Sequence, residues 1–202
     1  MEIVGINHDI LAEPSADYNN GANTAALTFL TYVMPPKLTN VNNESKNYSG
    51  AEGESHRAGG GWELSDLREE FNGALLTALD DTGVLQAGIK PVQKYSDHGY
   101  YHKGEEVVTI DKIWAPSTSE LNYEASSMIV SHQGTPYKLY TDSLSRRKYL
   151  KNTAGEYIAY PYWTRSSYNI PHQWYFVAAT GFLSSMNAGS SQTCYVCFGF
   201  CL

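Results

Sequence analysis

Two histidines in the middle of the sequence have a spacing that suits metal binding. His98 and His102 lie four residues apart, which would bring their imidazoles together on one face of a helix. Gly99 and Gly104 flank two tyrosines in this stretch, and these glycines favour a loop over a helix. We therefore expect solvated loop histidines and no metal site here.

Adjacent carboxylates offer a second candidate chemistry, either general acid–base catalysis or calcium binding. They occur as Glu69-Glu70, Asp80-Asp81 and Glu105-Glu106. Neighbouring side chains point in different directions from a helix or a turn, so we interpret all three pairs as solvated charge. His8 and Asp9 could act as a general base and the carboxylate that orients it. A hydrogen bond between them at the end of a strand is the simpler interpretation.

Motifs of nucleophilic and phosphate chemistry are absent from the sequence. There is no Gly-x-Ser-x-Gly and no His-Glu-x-x-His, and Gly59-Gly60-Gly61 lacks the Lys-Ser/Thr that completes a phosphate-binding loop. We predict no catalytic residue, no cofactor and no enzymatic activity.

Cys194, Cys197 and Cys201 lie close together near the carboxyl end. Their spacing admits a zinc site, but no second pair and no nearby histidine completes one, so we predict small buried hydrophobic residues. Arg165 lies among aromatic residues in Tyr-Trp-Thr-Arg-Ser. We expect its guanidinium to bind carbonyl groups or a carboxylate inside the protein, with ligand contact as the alternative.

The carboxyl-terminal segment combines aromatic rings with short polar side chains, the mixture that serves many binding surfaces. The alternative is that half of these residues are core rings and turn formers. The predicted ligand-binding residues are Tyr168, Asn169, His172, Trp174, Tyr175, Ser185, Asn187, Ser190, Gln192 and Tyr195.

Composition limits the function classes. The chain has 202 residues, 14 Lys plus Arg against 21 Asp plus Glu, and a formal charge of −7. This balance argues against nucleic-acid binding, which needs clustered cations. With 42% hydrophobic and 13% aromatic residues, the chain can bury a core. The amino terminus has no signal-peptide pattern, and the most apolar stretch, 174–183, is too short to cross a membrane.

The elements that position these residues fall into three zones. Residues 2–5 and 25–33 predict strands, and Pro35-Pro36 ends the second. Residues 37–61 are rich in Asn and Gly and predict a surface loop. A helix follows, with Ser65-Asp66 as N-cap, Glu69 completing a capping box and Asp80-Asp81-Thr82-Gly83 as its stop. Its apolar stripe is predicted to comprise Leu67, Phe71, Ala74, Leu75 and Ala78.

The second half of the sequence predicts mainly strands. Residues 107–114 are predicted to form a strand. Ser117-Thr118-Ser119-Glu120 is a second capping-box pattern, which predicts the start of a short helix or a turn. The terminal zone, 157–202, predicts a meander of strands at 157–163, 174–179, 182–186 and 194–201, with the strand at 174–179 buried.

Five motifs in order along the chain resemble a family of domains from gut bacteria and their phages and prophages. The motifs are Ile3-Val4-Gly5-Ile6-Asn7-His8-Asp9, Gly61-Trp62-Glu63-Leu64-Ser65-Asp66-Leu67-Arg68, Asp111-Lys112-Ile113-Trp114-Ala115-Pro116-Ser117-Thr118-Ser119-Glu120, Tyr162-Trp163-Thr164-Arg165-Ser166 and Phe198-Gly199-Phe200-Cys201-Leu202. Members of this family are similar to the C-type-lectin-like fold of formylglycine-generating enzymes and phage tropism determinants.

The resemblance implies an α+β, C-type-lectin-like domain over residues 1–202: a twisted, mostly antiparallel sheet with one or two packed helices and long irregular loops. It implies non-catalytic binding of a cell-surface protein or glycan by the segment 157–202, which variable proteins of diversity-generating retroelements diversify. The place of action would be a virion tail or a bacterial surface, within a larger assembly and without membrane insertion. A tail fibre would make the chain a homotrimer.

Two departures from that pattern limit what transfers. The calcium-dependent sugar motif of lectins is absent, and the paired active cysteines of formylglycine-generating enzymes have no clear equivalent. Thr164 replaces the Leu of the Trp-Leu-Arg-Ser form of its motif. A metal-dependent oxidase of the formylglycine-generating type and a purely structural virion or adhesin module remain the alternatives.

Overall fold

A computed structural model describes residues 1–35, 39, 41, 61–79, 83–100, 104–123, 132–170, 173–189 and 194–202. Most of the predicted loop 37–61, the predicted helix stop at 80–82, and His102 lie outside these residues. The strands are β1 (Glu2–Ile6), β2 (Leu27–Leu30), β3 (Val92–Asp97), β4 (Glu106–Asp111), β5 (Lys148–Lys151), β6 (Tyr157–Tyr160), β7 (Tyr162–Ser167), β8 (Gln173–Val177), β9 (Leu183–Asn187) and β10 (Gly199–Cys201).

The two ends of the chain meet in one three-stranded sheet of order β1-β2-β10. Both outer strands pair antiparallel with β2, and Phe200 lies opposite Phe29 with their rings stacked 5.3 Å apart. The predicted strand at 194–201 is therefore shorter than expected and belongs to this sheet. Within the meander, Tyr195 makes only a single bridge, to Tyr162.

The other strands form two two-stranded antiparallel sheets, β3-β4 and β5-β6, and a second three-stranded sheet, β7-β8-β9, in the described part of the chain. The predicted strand at 157–163 is divided between β6 and β7 at Pro161, which has no N–H for a ladder. Strand β8 is the middle strand of its sheet, and Trp174 and Val177 on it are fully buried, which confirms the predicted buried strand.

A helix begins at Asp66 and changes its winding within three turns. It comprises α1 (Asp66–Glu70), a π-helical segment (Phe71–Leu75) and α2 (Leu76–Ala78). The Oγ of Ser65 accepts a hydrogen bond from the backbone N–H of Arg68 at 3.1 Å, as predicted for an N-cap. A short helix, α3 (Val84–Gly88), follows.

The predicted apolar stripe of this helix is correct at Leu67, Phe71 and Leu75 and wrong at Ala74 and Ala78. Leu67 and Phe71 are buried, whereas Ala74 and Ala78 are exposed. The π-helical segment has more residues per turn than an α-helix, so it rotates the inward face onto Leu75, Leu76 and Leu79.

Two hydrophobic clusters form the core. The larger lies beneath the helix and includes Trp62, Phe71, Trp114 and Trp174. The smaller includes Leu30, Tyr137, Tyr140, Tyr162 and Val177, and Tyr195 packs against it.

The second predicted capping box is present, but it closes a turn and opens no helix. The Oε2 of Glu120 accepts the Ser117 N–H at 3.1 Å, and the Oγ of Ser117 accepts the Glu120 N–H at 3.0 Å. The architecture is thus α+β, as predicted: mostly antiparallel strands in small sheets with a packed helix. None of the helices in the described ranges is long and apolar enough to cross a membrane.

Candidate functional site

Two of the predicted ligand-binding rings belong to the core. Trp174 and Tyr175 are 0% and 3% exposed. The indole Nε1 of Trp174 donates to the Thr164 carbonyl at 2.8 Å, so the ring has its polar partner inside the protein. The prediction that these two rings are displayed is wrong, because β8 is covered on both faces at these positions.

Three other predicted residues lie together on one face of the β8–β9 hairpin. Ser185 is opposite Tyr175 and Asn187 is opposite Gln173, and residues directly opposite share a face. The Tyr168 ring packs edge-on against Tyr175 at 5.0 Å. Tyr168, Ser185 and Asn187 are half-buried, and we call these three residues with Gln173 the hairpin face.

Hydrogen bonds within the hairpin face hold its side chains in place. The Oγ of Ser185 donates to Oε1 of Gln173 at 3.0 Å, and Oδ1 of Asn187 accepts the Gly189 N–H at 2.8 Å. Asn169, next to Tyr168, is exposed.

The remaining predicted residues are placed elsewhere or lie outside the described residues. Tyr195 is half-buried, and its ring meets the Tyr160 ring edge-on at 5.1 Å. His172, Ser190 and Gln192 lie outside the described residues.

A buried cluster of charged side chains brings four sequence-distant elements together. The Lys94 ammonium donates to Oδ1 of Asp9, to Oε1 of Glu120 at 3.0 Å and to the Tyr137 hydroxyl at 3.2 Å. Arg165 donates to Oε2 of Glu120 at 2.5 Å. All five residues are buried. We call them the charge cluster.

The charge cluster is electrically balanced: two carboxylates face one ammonium and one guanidinium. Burial raises the pKa of Glu120, but Arg165 and Lys94 outweigh this effect and hold it below its usual value. Burial likewise raises the pKa of Asp9, and Lys94, with hydrogen bonds from His8 and Thr28, brings it far below the usual value. Both carboxylates are therefore ionised at neutral pH.

His8 contacts the charge cluster through Asp9. Its Nδ1 lies 3.3 Å from Oδ2 of Asp9, which confirms the predicted hydrogen bond after strand β1. Burial lowers the pKa of His8, but the hydrogen bond and the charge of Asp9 raise it further, so the net pKa is above its ordinary value. The His8 Nε2 has no hydrogen-bond partner among the described residues.

Arg165 has the structural role that the sequence predicts. Besides Glu120, it donates to the carbonyls of Tyr95 at 3.1 Å, Ala115 at 2.9 Å and Gln133 at 2.9 Å. Thr164, the unusual residue in this motif, donates to the Tyr175 carbonyl at 2.9 Å, an interaction that a leucine could not make. These bonds fix β7, which is buried at every residue.

Two other buried carboxylates anchor neighbouring elements. Asp111 accepts hydrogen bonds from Trp62 at 2.9 Å and Arg68 at 2.7 Å, which ties the start of the helix to β4. Asp97 accepts from Ser167 and from the Gln133 amide at 2.9 Å, and burial raises its pKa.

Burial keeps at least two of the three cysteines in the thiol form. All three are free and buried, as predicted. Burial raises the pKa of Cys197 to about 11 and that of Cys201 to about 12, so both stay protonated and weakly nucleophilic at neutral pH. Among the described residues, no group of three or more His, Cys, Asp or Glu is arranged to hold a metal ion.

A half-open pocket of about 150 Å³ lies at the edge of the charge cluster. Its lining is formed by His8, Asp9, Ile10, Gln93, Tyr95, Glu120, His132, Gly134 and Thr135. Since the carboxylates that reach it are already paired with Lys94 and Arg165, the pocket is better suited to holding a side chain or ring than to proton transfer.

Sequence reasoning named His8, Asp9 and Arg165 but did not predict that they meet Lys94 and Glu120. Asp9, Glu120 and Arg165 come from three of the five motifs and Lys94 lies outside all of them, so only the tertiary fold brings the four side chains together. The alternation of side chains along a strand indicates only that Lys94 points inward, since it lies between Gln93 and Tyr95 on β3.

The described residues thus define an α+β protein with a buried, balanced charge cluster and a polar hairpin face. A family model described as a domain of unknown function (DUF6273) matches residues 37–198, and the chain belongs to this family. No curated protein and no solved structure matches the chain.

Proposed function

We propose that this protein is a non-catalytic recognition domain that binds a cell-surface protein or glycan through the hairpin face and the adjacent Asn169. The observation that carries the proposal is a group of half-buried polar side chains on one face of the β8–β9 hairpin. Tyr168, Ser185 and Asn187 are half-buried there, and the Tyr175 ring, which Tyr168 contacts, is buried on the same face. A rigid support with amphipathic side chains loses little conformational entropy on binding.

The proposed binding mechanism follows from the chemistry of these side chains. The Tyr168 ring would bury apolar area against the ligand, and the amides and hydroxyl nearby would set specificity through hydrogen bonds. The anchored strand β7 lies directly beside β8, so the support does not have to order when the ligand arrives.

We further propose a C-type-lectin-like arrangement and a place on a virion tail or bacterial surface. The support for the arrangement is the pairing of β10 with β2, which joins both chain ends in one sheet. The five motifs that carry this resemblance contribute to the buried core and to the charge cluster. Variation at the hairpin face would therefore leave the support unchanged, as a retroelement-diversified protein requires.

The test is binding of the full chain to a glycan array and to a panel of intact gut bacterial cells. We expect Tyr168→Ala and Asn169→Ala to weaken binding roughly tenfold or more, the size of an interface hot spot. Asn169 is exposed, so Asn169→Ala should keep the wild-type melting temperature, whereas Tyr168→Ala should stay folded with a small loss of stability from its contact with Tyr175. Tyr157→Ala is the matched control, since Tyr157 is 56% exposed on β6, and it should bind like the wild type.

Unchanged binding in Tyr168→Ala and Asn169→Ala would refute the hairpin face as the site and favour a structural module. Turnover of a thiol substrate that is lost in Cys197→Ser would favour an oxidase instead. The raised pKa and burial of Cys197 lead us to expect no such turnover.

A further inference from the structure

The outer face of the β3–β4 ribbon carries exposed apolar side chains. Gln93 lies opposite Ile110 and Tyr95 opposite Val108, so all four side chains share one face. Val108 and Ile110 are 46% and 50% exposed. In the described part of the chain, β4 pairs only with β3, and the opposite face of the ribbon is turned to the core through Lys94 and Thr109.

This apolar face is continuous with the pocket beside the charge cluster. Gln93 and Tyr95 belong to both, and Ile10 and Thr135 form further parts of the pocket wall. A volume of about 150 Å³ is the size of a cavity that accepts one benzene-sized group. A molecule that fills the pocket and also covers Val108 and Ile110 must be larger than one ring.

The rim of the ribbon is acidic. Glu106 shares the outward face of β4, and its carboxylate lies 3.8 Å from the ring of His132. At the hairpin end, Glu63 and Glu105 lie 3.7 and 3.5 Å from His98. The three glutamate side chains are 39–63% exposed, which favours a cationic partner.

We propose that the outer face of the β3–β4 ribbon and its pocket form a docking site for a partner protein segment. The segment would insert one large apolar side chain into the pocket, pack aliphatic groups on Val108 and Ile110, and place Lys or Arg opposite Glu106. This is the usual anatomy of a protein interface: a buried anchor, an apolar surround and a charged rim. The site lies on a different sheet from the hairpin face.

The experiment uses the ¹⁵N-labelled full chain and two capped pentapeptides. One has the sequence Lys-Lys-Phe-Lys-Lys, and the other has Ala in place of Phe. We expect the first to shift the amide resonances of Tyr95, Val108, Ile110 and Thr135, and the second to bind roughly tenfold more weakly or not at all. Higher salt should weaken both, because the rim charges are exposed.

Two substitutions separate the pocket from general surface effects. Thr135→Trp places a large ring at the pocket wall and should abolish the preference for Phe over Ala. Thr141→Trp is the matched control at another exposed threonine, and it should leave the preference intact. Glu106→Gln should weaken both peptides several-fold while the preference remains.

Three outcomes would overturn the proposal. Equal binding of the two peptides would show that the pocket takes no anchor. In a separate titration, N-acetylphenylalanine amide could shift only the resonances of the pocket residues. If, in addition, neither peptide shifted the resonances of Val108 and Ile110, the ligand of the pocket would be a small molecule. Concentration-dependent shifts of Val108 and Ile110 without peptide, together with a dimer in sedimentation, would assign the face to a second copy of the chain.

Discussion

Lys94 is surrounded by groups that stabilise an ammonium ion inside the protein. Asp9 and Glu120 supply negative charge, and the Tyr137 hydroxyl accepts a hydrogen bond. The ammonium also lies 3.7 Å from the centroid of the Trp114 ring, within cation–π range. Removing it would leave the buried Asp9 carboxylate, which is only 6% exposed, without its principal partner.

We expect Lys94→Met to destabilise the protein by about 3–5 kcal/mol, the usual cost of removing one partner from a buried ion pair. Methionine has a similar length, so the loss reports charge more than volume. Lys138→Met, at an exposed position, is the control and should change stability by less than about 0.5 kcal/mol. Urea unfolding of both variants measures the difference, and equal stabilities would contradict a structural role for the charge cluster.

At this scale the sequence predicts the environment of a residue better than its partners. The aromatic neighbours of Arg165 were sufficient to predict carbonyl and carboxylate contacts. The role of Glu120 was only partly predictable, because its capping-box bond to Ser117 is local whereas its bonds to Lys94 and Arg165 depend on the tertiary fold. For the same reason, the sequence alone does not decide whether Trp174 and Tyr175 are buried or displayed.

At the scale of elements, the β8–β9 hairpin is held against a neighbouring loop by a close backbone approach. Gly181, in the turn after β8, has φ of +85°, and a Cβ there would lie 1.6 Å from the Ser143 carbonyl oxygen. Gly155, in the β5–β6 turn, has a similar φ of +87°, but the nearest atom to a Cβ is 3.9 Å away. The two glycines therefore have the same backbone conformation, but only at Gly181 would an added Cβ overlap another part of the protein.

This pair separates backbone strain from packing. We expect Gly155→Ala to cost about 1 kcal/mol for the left-handed conformation alone. Gly181→Ala should cost about 2–4 kcal/mol, since the overlap with Ser143 is added to that strain. Thermal unfolding of both variants gives the comparison, and similar melting temperatures would show that the Ser143 loop moves freely away from the hairpin.

The sequence predicts an element boundary where a local rule determines it. The prediction fails where tertiary packing determines the boundary. Ser65 caps the helix as its sequence indicates. The predicted strand 157–163 missed such a rule, because it ran through Pro161, which separates β6 from β7. The π-helical segment was not predictable from periodicity, because it places Asn72 where its Oδ1 accepts the N–H groups of Lys112 and Ile113, at 2.9 and 3.2 Å. A tertiary hydrogen-bond requirement there overrides the 3.6-residue repeat.

At the scale of the whole molecule, both strand pairing and buried ion pairs join segments that are distant in sequence. The α+β class follows from strand and helix patterns, but the partition of the described strands into four small sheets does not. Patterning gives the faces of strands, whereas which strands pair depends on the complete set of contacts. The position of β10 beside β2 is the clearest case, since the sequence places it next to β9.

The charge cluster makes the free energy of unfolding depend on pH. Comparing the wild type with Asp9→Asn isolates the part of this dependence that comes from Asp9 and His8. The pKa of Asp9 is lowered from 3.8, so its contribution is present above that value and is lost as pH falls through the folded-state pKa. The pKa of His8 is raised from 6.5, so its contribution is present below that value and is lost as pH rises through the folded-state pKa. Both contributions depend on the Asp9 carboxylate, whereas the raised pKa of Asp97 is common to both proteins and cancels.

The stability difference between wild type and Asp9→Asn should therefore be largest between about pH 4 and 6.5 and smaller on both sides. Urea unfolding at pH 3, 5.5 and 8.5 measures it. His8→Gln is the second variant: it should remove the decline on the alkaline side and leave the acid side, where Asp9 loses its charge against Lys94. A difference that stays constant over the three pH values would mean that neither His8 nor Asp9 couples its protonation to folding.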